Sequence, residues 1–330
     1  MQFPLPALLC DVGGTNIRVA RLEQPGAAPV MVGHAATQSV TSLAEAITGM
    51  DGARGARAMI VCAAGPIVGR AVKLTNASWT LDGPELADAL RLEQGLLLHD
   101  FEALALSLPA LPAARLKSIG PDLGQPIGAR LVLGPGTGLG AAALTTVEGR
   151  YLALTGEAGH VEFGPAAPDE EALWPHLARV HGRITSEAVL SGDGLARLHR
   201  ARLASLGTEA PPIDPAAVVA RATAHAEGPE ADTARLFWRL VARFAGDLAL
   251  VYAARGGVTL AGGVLPRLAD LLDEAAFRAA FEAKAPMTGL MQAMPTRLLT
   301  RPETVLSGLA AIATDPDHFV IDYPGRCWRP

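Results

Sequence analysis

Two segments of the sequence share one pattern, and this pattern restricts the fold more than any other feature of the chain. In the first, an apolar run at 7–10 leads into a glycine turn at 13–15 and then into alternating apolar and polar residues at 17–21. In the second, the apolar run 130–133 leads into GPGTG at 134–138 and small apolar residues. Apolar runs bounded by such turns predict strands. The repeated strand–turn–strand pattern therefore indicates a duplicated α/β unit.

Length and composition restrict the class of protein. The 330 residues fit two domains of ordinary size. Half of the residues are hydrophobic and 18% are charged, as in a folded globular protein. The net charge is -5 and there is no basic run, which argues against nucleic acid as a partner. The three cysteines form no CxxC pair, which argues against a disulfide framework or a structural zinc site and suits a reducing compartment.

The sequence also predicts a cytoplasmic protein without a membrane partner. The N-terminus lacks the positive region that precedes the apolar segment of a secretory signal. The uncharged stretch 131–147 contains four glycines and a proline. A membrane helix would instead need a uniform apolar run of about 20 residues.

The other predicted elements follow from apolar spacing and turn residues. A segment rich in proline and glycine at 109–126 is expected to cross between domains. Strands are predicted at 58–63, 96–98 and 258–261, and helices at 84–93, 102–108, 187–204, 231–254 and 304–314.

Both glycine turns have the composition of phosphate-binding loops. Glycine lets main-chain N–H groups approach a phosphate closely, and threonine adds a hydroxyl donor. The first turn has Gly13, Gly14 and Thr15, and the second has Gly136-Thr137-Gly138. Neither fits the Walker or the dinucleotide pattern, because each turn leads into a strand instead of a helix. The alternative is that each is only a turn, but the recurrence favours phosphate binding.

Asp11, just before the first turn, predicts a cation. A carboxylate beside a phosphate is repelled by it unless a cation lies between them, and the natural partner is Mg²⁺, often held through water. The alternative is an aspartate that caps a turn, which is common in hairpins.

A second group of polar residues is suited to a sugar. Asp100 follows an apolar strand, Glu157 and His160 lie in one short motif, and Glu187 stands near a helix start. Such side chains can donate to and accept from a ring of hydroxyls, and one carboxylate can act as the base that takes a hydroxyl proton. The alternatives are structural: Asp100 could cap the following helix, and the helix dipole alone favours Glu187.

Five segments, in order along the chain, resemble the motifs of the bacterial glucokinases of the hexokinase-like group, in the superfamily that contains actin and heat-shock chaperones. The resemblance extends from about residue 8 to residue 309. The segments are CDVGGTN at 10–16 and GPGTGLG at 134–140, similar to the two phosphate motifs, GEAGH at 156–160 and SEAVLSG at 186–192, similar to the sugar-binding segments, and AGGVLPR at 261–267, similar to the adenosine motif.

The resemblance implies two ribonuclease H-like α/β domains, of the actin-like ATPase type, that flank a deep cleft. It implies a small domain at 1–112 plus 305–330 and a large domain at 113–304. The implied activity is phosphorylation of the 6-hydroxyl of glucose by ATP and Mg²⁺, to give glucose 6-phosphate in glycolysis, and relatives suggest a homodimer. Asp100 would be the catalytic base, Asp11 would hold Mg²⁺ through water, and sugar hydroxyls would contact His99, Asp100, Glu157, His160, Glu187 and Asn76. ATP would contact Cys10, Asp11, Val12, Gly13, Gly14, Thr15, Gly136, Thr137, Gly138, Gly262 and Gly263.

The chain departs from the family pattern at two positions. The family usually has asparagine before the catalytic aspartate, where this chain has His99, and Ala158 replaces the middle glycine of the sugar motif. Ala158 therefore has to avoid backbone angles that only glycine adopts. The related ROK branch carries a cysteine-rich zinc motif, but this chain has no cysteine between Cys62 and Cys327, so no zinc is expected.

Two alternatives to glucose phosphorylation remain at this point. The first is a kinase for another hexose, such as mannose, fructose or glucosamine, with His99 altering the selectivity. The second is a sugar sensor or repressor without activity on the same fold. Such repressors carry a helix-turn-helix ahead of the kinase part, and we expect none here because the first phosphate strand begins near residue 8.

Overall fold

The computed structural model describes residues 2–74, 77, 79–209, 211–301 and 304–329. The chain divides into two compact units. The first unit comprises Met1–Ala113, Leu144–Leu154 and Glu303–Pro330. The second comprises Ala114–Ala143 and Thr155–Pro302.

The described elements combine strands and helices along the whole chain, as in the α/β class. The strands are β1 Ala7–Val12, β2 Asn16–Leu22, β3 Val30–Ala36, β4 Ala58–Ala63, β5 Ile67–Val68, β6 Ala71–Lys73, β7 Thr80–Asp82, β8 Gln94–His99, β9 Leu116–Ile119, β10 Arg130–Pro135, β11 Leu139–Val147, β12 Arg150–Gly156, β13 Gly257–Leu260, β14 Thr296–Leu299, β15 Phe319–Val320 and β16 Cys327–Trp328. The helices are α1 Leu43–Thr48, α2 Gly83–Leu90, α3 Asp100–Ser107, α4 Pro168–Leu173, α5 Ser186–Val189, α6 Gly192–Ser205, α7 Pro215–Ala224, α8 Pro229–Val251, α9 Glu274–Glu282, α10 Thr288–Gln292, α11 Val305–Thr314 and α12 Tyr323–Arg326.

The first unit is built on a sheet with the strand order β16-β8-β4-β1-β2-β3. β1, β4 and β8 are parallel and pair without offset, so that Val12, Ala63 and His99 end the three strands side by side. Nearly every residue of these strands is buried, because α1 and α2 pack in the core cluster on one side and α3 and α11 also contact the sheet. The carboxyl ends of three buried strands therefore meet at one edge.

The second unit carries the other glycine turn, which connects β10 to β11. β10 pairs in parallel with β13, β13 pairs in parallel with β14, and β9 adds an antiparallel edge. The long helix α8 contributes many apolar side chains to the core of this unit, among them the fully buried Phe237 and Trp238. In the first unit, β12 pairs in parallel with β15 at Tyr151 and Leu152.

Most predicted elements are confirmed, but one predicted helix is wrong. The strand–turn–strand units, the strand 58–63 and the helices 231–254 and 304–314 are present with small shifts of their ends. The helix predicted at 187–204 is divided into α5 and α6. Leu190 leaves the helical region, and the Ser191 side chain accepts from the N–H of Gly194 at 3.0 Å to begin the next helix. None of the described helices is both long and apolar enough to span a membrane.

Trp328 fixes the C-terminal strand β16 against β8 at the edge of the first sheet. β16 pairs antiparallel with β8, which sets Trp328 opposite Gly95. The indole is fully buried and lies over Gly83 and Gly95, where a Cβ would come within 2.3 and 2.1 Å of its ring atoms. These two glycines are therefore required by the close approach of the ring.

This contact predicts that Gly95→Ala destabilises the protein by about 1–3 kcal/mol, because the added methyl group overlaps the Trp328 ring. Gly52→Ala is the matched control in the same unit, since its Cβ would first meet Val32 Cγ1 at 3.4 Å, an ordinary contact. Urea unfolding followed by circular dichroism measures both. Equal stability of the two variants would contradict the packing described here.

Candidate active site

Asp11 lies at the carboxyl-end edge of the first sheet and is held by two neighbours. Its Oδ2 accepts from Arg18 Nη1 at 2.8 Å across the β1–β2 hairpin, and its Oδ1 lies 3.7 Å from the Cys62 Sγ on β4. The Asp11 side chain is only 13% exposed. Because Asp11 lies within β1 and pairs with Arg18, it does not act as a turn cap.

Burial and the Arg18 charge act on Asp11 in opposite directions. Burial raises the pKa of the Asp11 carboxyl, and the ion pair and hydrogen bonds with Arg18 and the Cys62 thiol lower it. Burial has the larger effect, so the pKa of Asp11 is raised overall, and Arg18 offsets only part of the cost of ionising this buried carboxylate. The sequence did not identify Arg18 or Cys62 as neighbours of Asp11. The alternation of apolar and polar residues at 17–21 predicted a strand that contains Arg18, but not which side chain Arg18 meets.

The first glycine turn is held by its own main chain and by Thr37. The N–H of Gly13 donates to the Asn16 carbonyl at 2.9 Å, and the Thr37 hydroxyl donates to the Gly13 carbonyl at 2.7 Å. Thr37 follows β3, and its main-chain N–H also donates to the carbonyl of Thr15. Gly14 and Thr15 thus occupy the tip of a fixed turn.

Asp100 and His99 lie at the same edge, where β8 ends and α3 begins. Asp100 is the first residue of α3, and its Oδ1 accepts from the N–H of Phe101 at 2.7 Å. The N-cap is His99, so the alternative that Asp100 caps the helix is wrong. His99 Nδ1 lies 3.1 Å from Asp100 Oδ1. The angles do not fit a hydrogen bond, and among the described residues this buried nitrogen has no hydrogen-bond partner.

Cys62 lies on β4, between β1, which carries Asp11, and β8, which leads to Asp100. Burial raises the pKa of the Cys62 thiol most, and the charges of Asp11 and then Asp100 raise it further. Asp11 and Asp100, which are 89 positions apart in the sequence, therefore lie at the same sheet edge on either side of the Cys62 strand.

The second glycine turn is fixed by a carboxylate from α5. Within the turn, the N–H of Gly136 donates to the Gly138 carbonyl at 2.8 Å, and the N–H of Gly192 donates to the Gly136 carbonyl at 2.9 Å. Glu187 Oε2 accepts from the N–H of Leu139 at 2.9 Å. Thr137 is exposed at the tip of the turn.

The 157–160 motif packs beside Glu187. The hydroxyl of Ser186 lies 3.0 and 3.1 Å from the carbonyl oxygens of Ala158 and Val161. The side chains of Glu157 and His160 are 76% and 60% exposed, with His160 Nε2 3.9 Å from Glu157 Oε2. The structure thus brings Glu157, His160 and Glu187 together around the second turn.

Ala158 fits the motif without strain. It begins a short 3-10 helix, Ala158–His160, and is absent from the non-glycine residues that have positive φ in the described chain. The expectation that this turn avoids glycine-only angles is confirmed. Gly159 is different, because a Cβ there would lie 2.4 Å from the Leu139 carbonyl oxygen.

The glycines of the candidate site fall into two classes. In the first class a Cβ would overlap protein: at Gly138 it would lie 2.6 Å from Glu187 Oε2, and at Gly262 it would lie 2.2 Å from the Pro135 carbonyl oxygen, with φ at +86°. In the second class, at Gly13, Gly136 and Gly263, a Cβ would meet nothing closer than 3.5 Å. The second class leaves open space in which a ligand can approach the main chain.

Three further residues predicted for the site are Cys10, Val12 and Asn76. The side chains of Cys10 and Val12 are fully buried in β1, so only their main chain is available to a nucleotide. Burial also raises the pKa of the Cys10 thiol. Asn76 lies outside the described residues.

The residues around Asp11 fit Mg²⁺ held through water. Across the described ranges, no group of three or more histidine, cysteine, aspartate or glutamate side chains could hold a metal by itself. Mg²⁺ commonly keeps several waters and uses one or two carboxylates plus substrate phosphates. Both oxygens of Asp11 already have a protein neighbour, Arg18 or Cys62, which favours contact through water over direct ligation.

Comparisons with known proteins show the family and the fold. A model of the glucokinase family matches residues 8–316. The glucokinase of Rhizobium meliloti (strain 1021) is 40% identical over 333 residues, covering 99% of this chain and 98% of that protein. The solved glucokinase from an Antarctic psychrotroph has a TM-score of 0.79 at 30% identity, covering 94% and 99%. A ROK family glucokinase from Streptomyces griseus, solved with glucose and AMPPNP, has a TM-score of 0.64 at 18% identity over 93% and 99%, which supports the fold alone. These likenesses confirm the predicted actin-like α/β fold.

The two classes of glycine give a prediction about stability. Gly262→Ala is expected to lower the free energy of unfolding by about 1–3 kcal/mol, since alanine is strained at positive φ and its Cβ overlaps Pro135. Gly263→Ala, the adjacent control, is expected to change it by less than about 0.5 kcal/mol. Urea unfolding measures both, and a large loss at Gly263 would show that its surroundings are closed.

Proposed function

The chain belongs to the glucokinase family, and from this premise we propose which of its residues carry out each part of the reaction. As a member of this family it is a kinase that phosphorylates glucose, with ATP as the phosphoryl donor. The observation that carries the assignment of roles is the position of Asp100. It directly follows β8, whose carboxyl end lies at the same sheet edge as Asp11, with β4 between the two strands.

Asp100 is proposed as the general base for the 6-hydroxyl of glucose. As the first residue of α3 it lies at the positive end of the helix dipole, which stabilises its ionised, proton-accepting form. Its Oδ1 accepts from the N–H of Phe101, which fixes the orientation of the carboxylate. A base held in this way can take the proton as the hydroxyl oxygen attacks the γ-phosphorus.

The sugar is proposed to be held by residues that the structure fixes on two elements. Glu157 and His160 present exposed polar groups, and Glu187 is oriented by the N–H of Leu139. His99 stands beside the base and would contact a further hydroxyl. Asn76 is included on the resemblance alone. Hydrogen bonds from several fixed groups discriminate between sugars that differ at one hydroxyl.

ATP is proposed to lie along the glycine turns. Gly13, Gly136 and Gly263 leave space for phosphates or adenosine at the main chain, and Gly14, Thr15, Thr137 and Gly138 would add donors. Gly262 shapes the adenosine side through its positive φ. Mg²⁺, held near Asp11 through water, would neutralise charge on the phosphates.

We also propose that the enzyme works in the cytoplasm as a homodimer, with sugar and ATP as its small-molecule partners. The free thiols of Cys10, Cys62 and Cys327 suit a reducing compartment. The homodimer rests on the family resemblance, and gel filtration with light scattering would test it.

Asp100→Asn is expected to lower kcat by about 10²–10⁴-fold, because the amide cannot accept the hydroxyl proton. Coupled ADP release measures turnover, and calorimetry is expected to show glucose affinity within a few-fold of the native value. Asp88→Asn, an exposed aspartate in α2, is the matched control and should be fully active. Turnover near the native rate in Asp100→Asn would overturn the assignment of the base.

A sugar panel tests the alternative that the chain prefers another hexose. That alternative is favoured by His99, which stands 3.1 Å from the base where the family usually has asparagine. We expect kcat/KM for glucose to exceed the values for mannose, fructose and glucosamine by at least about 10-fold. The rate of ADP release by Asp100→Asn with each sugar gives the background of the assay. A flat response to glucose, with turnover of another hexose, would reassign the substrate.

A further inference from the structure

The C-terminal segment reaches the junction that carries the catalytic base. α12 and β16 lie more than 220 positions after β8 in the sequence, yet Cys327 pairs with Leu96 and Trp328 with Gly95. The buried Trp328 ring fixes this pairing. Arg326, just before β16, is therefore held at a constant position next to the end of β8 and the start of α3.

Arg326 pairs with Glu102, a carboxylate of α3 that also holds the junction between β8 and α3. Arg326 Nη1 donates to Glu102 Oε2, and that oxygen also accepts from the main-chain N–H of His99 at 3.3 Å. His99 is the N-cap of α3, and Asp100 is the next residue. One carboxylate oxygen thus joins the C-terminal segment to the residue that precedes the base.

The Glu102 carboxylate depends on Arg326 for its charge balance. Its side chain is only 9% exposed, and among the described residues Arg326 is the cation within ion-pair distance of it. A buried carboxylate that loses its cation is strongly unfavourable. Without Arg326, Glu102 would have to turn toward water and would release the N–H of His99.

The other end of α3 does not depend on Arg326. There, α11 packs so closely on α3 that a Cβ at Gly308 would lie 2.1 Å from Ser107 Cβ. Loss of the ion pair would therefore loosen the first turn of α3 while the helix stays docked. That first turn contains Asp100, and a displacement of about 1 Å at a reacting group can cost about 10²-fold in rate.

We propose that Arg326 is a positioning residue for Asp100, acting through Glu102 and the main-chain N–H of His99. The proposal rests on the proposed function of Asp100 as the base. Arg326 itself touches neither the sugar nor the nucleotide in this scheme. Its contribution is to kcat, because it sets where the proton acceptor stands.

The first test compares Arg326→Ala with Arg326→Lys and Arg329→Ala. Arg326→Ala is expected to lower kcat per active site by about 10- to 100-fold, with the KM for ATP within about 2-fold of the native value. Arg326→Lys keeps the cation and should recover part of the loss. Arg329→Ala, an exposed arginine three residues later, should keep the native kcat. Active sites are counted by the stoichiometry of nucleotide binding, so that a loss of folded protein does not lower the measured kcat.

The second test uses Glu102→Gln, which removes the buried charge and stays informative even where Arg326→Ala folds poorly. Glu102→Gln alone should lower kcat, and adding Arg326→Ala to it should cost little more, because the pair is already broken. Fully additive losses, or an unchanged kcat per site in Arg326→Ala and Glu102→Gln, would overturn the proposal. If Asp100→Asn is inactive in the same assays, only the role of Arg326 fails; if Asp100→Asn is active, the assignment of the base fails instead.

Discussion

The parallel pairing of β1, β4 and β8 without offset is the constraint on which the first unit depends. It places the ends of three buried strands side by side and brings Asp11, Cys62 and Asp100 to one edge. Each strand is covered on both faces, so a one-residue shift in register would exchange the side chains packed on the two faces as well as separate the carboxylates. The stability of the sheet and the geometry of the site therefore have the same origin.

The carboxylates Asp11 and Glu102 are largely buried near this edge, and each forms an ion pair with an arginine, which lowers the cost of burying its charge. Arg18 offsets part of the cost of burying ionised Asp11, and Arg326 forms an ion pair with Glu102. In the second unit, Glu187 is held instead by the N–H of Leu139, a neutral donor. The carboxylates that we propose bind or react are thus oriented by the protein before any ligand arrives, which would limit the reorganisation needed during phosphoryl transfer.

Much of the fold could be predicted from local patterns. The two strand–turn–strand units, the strand 58–63 and the helix 231–254 follow from apolar periodicity and turn residues, which act over a few positions. The break between α5 and α6 was missed because apolar spacing continues through it, and only the Ser191 cap and the contact of Gly192 with the second turn reveal it. Motif order predicted the glucokinase family, which the full-length match confirms.

The sequence by itself determined the glycine turns, the residue types of the candidate site and the family, because these are written in short contiguous motifs. It did not determine which glycines are required by packing and which leave space for a ligand, since Gly262 and Gly263 differ only in backbone angle and in what lies opposite. It also gave no sign of Arg18 as the partner of Asp11, or of Arg326 as the partner of Glu102. Such pairings are decided only by tertiary structure, because they depend on strand register and on side chains that meet across 7 and 224 positions of the chain.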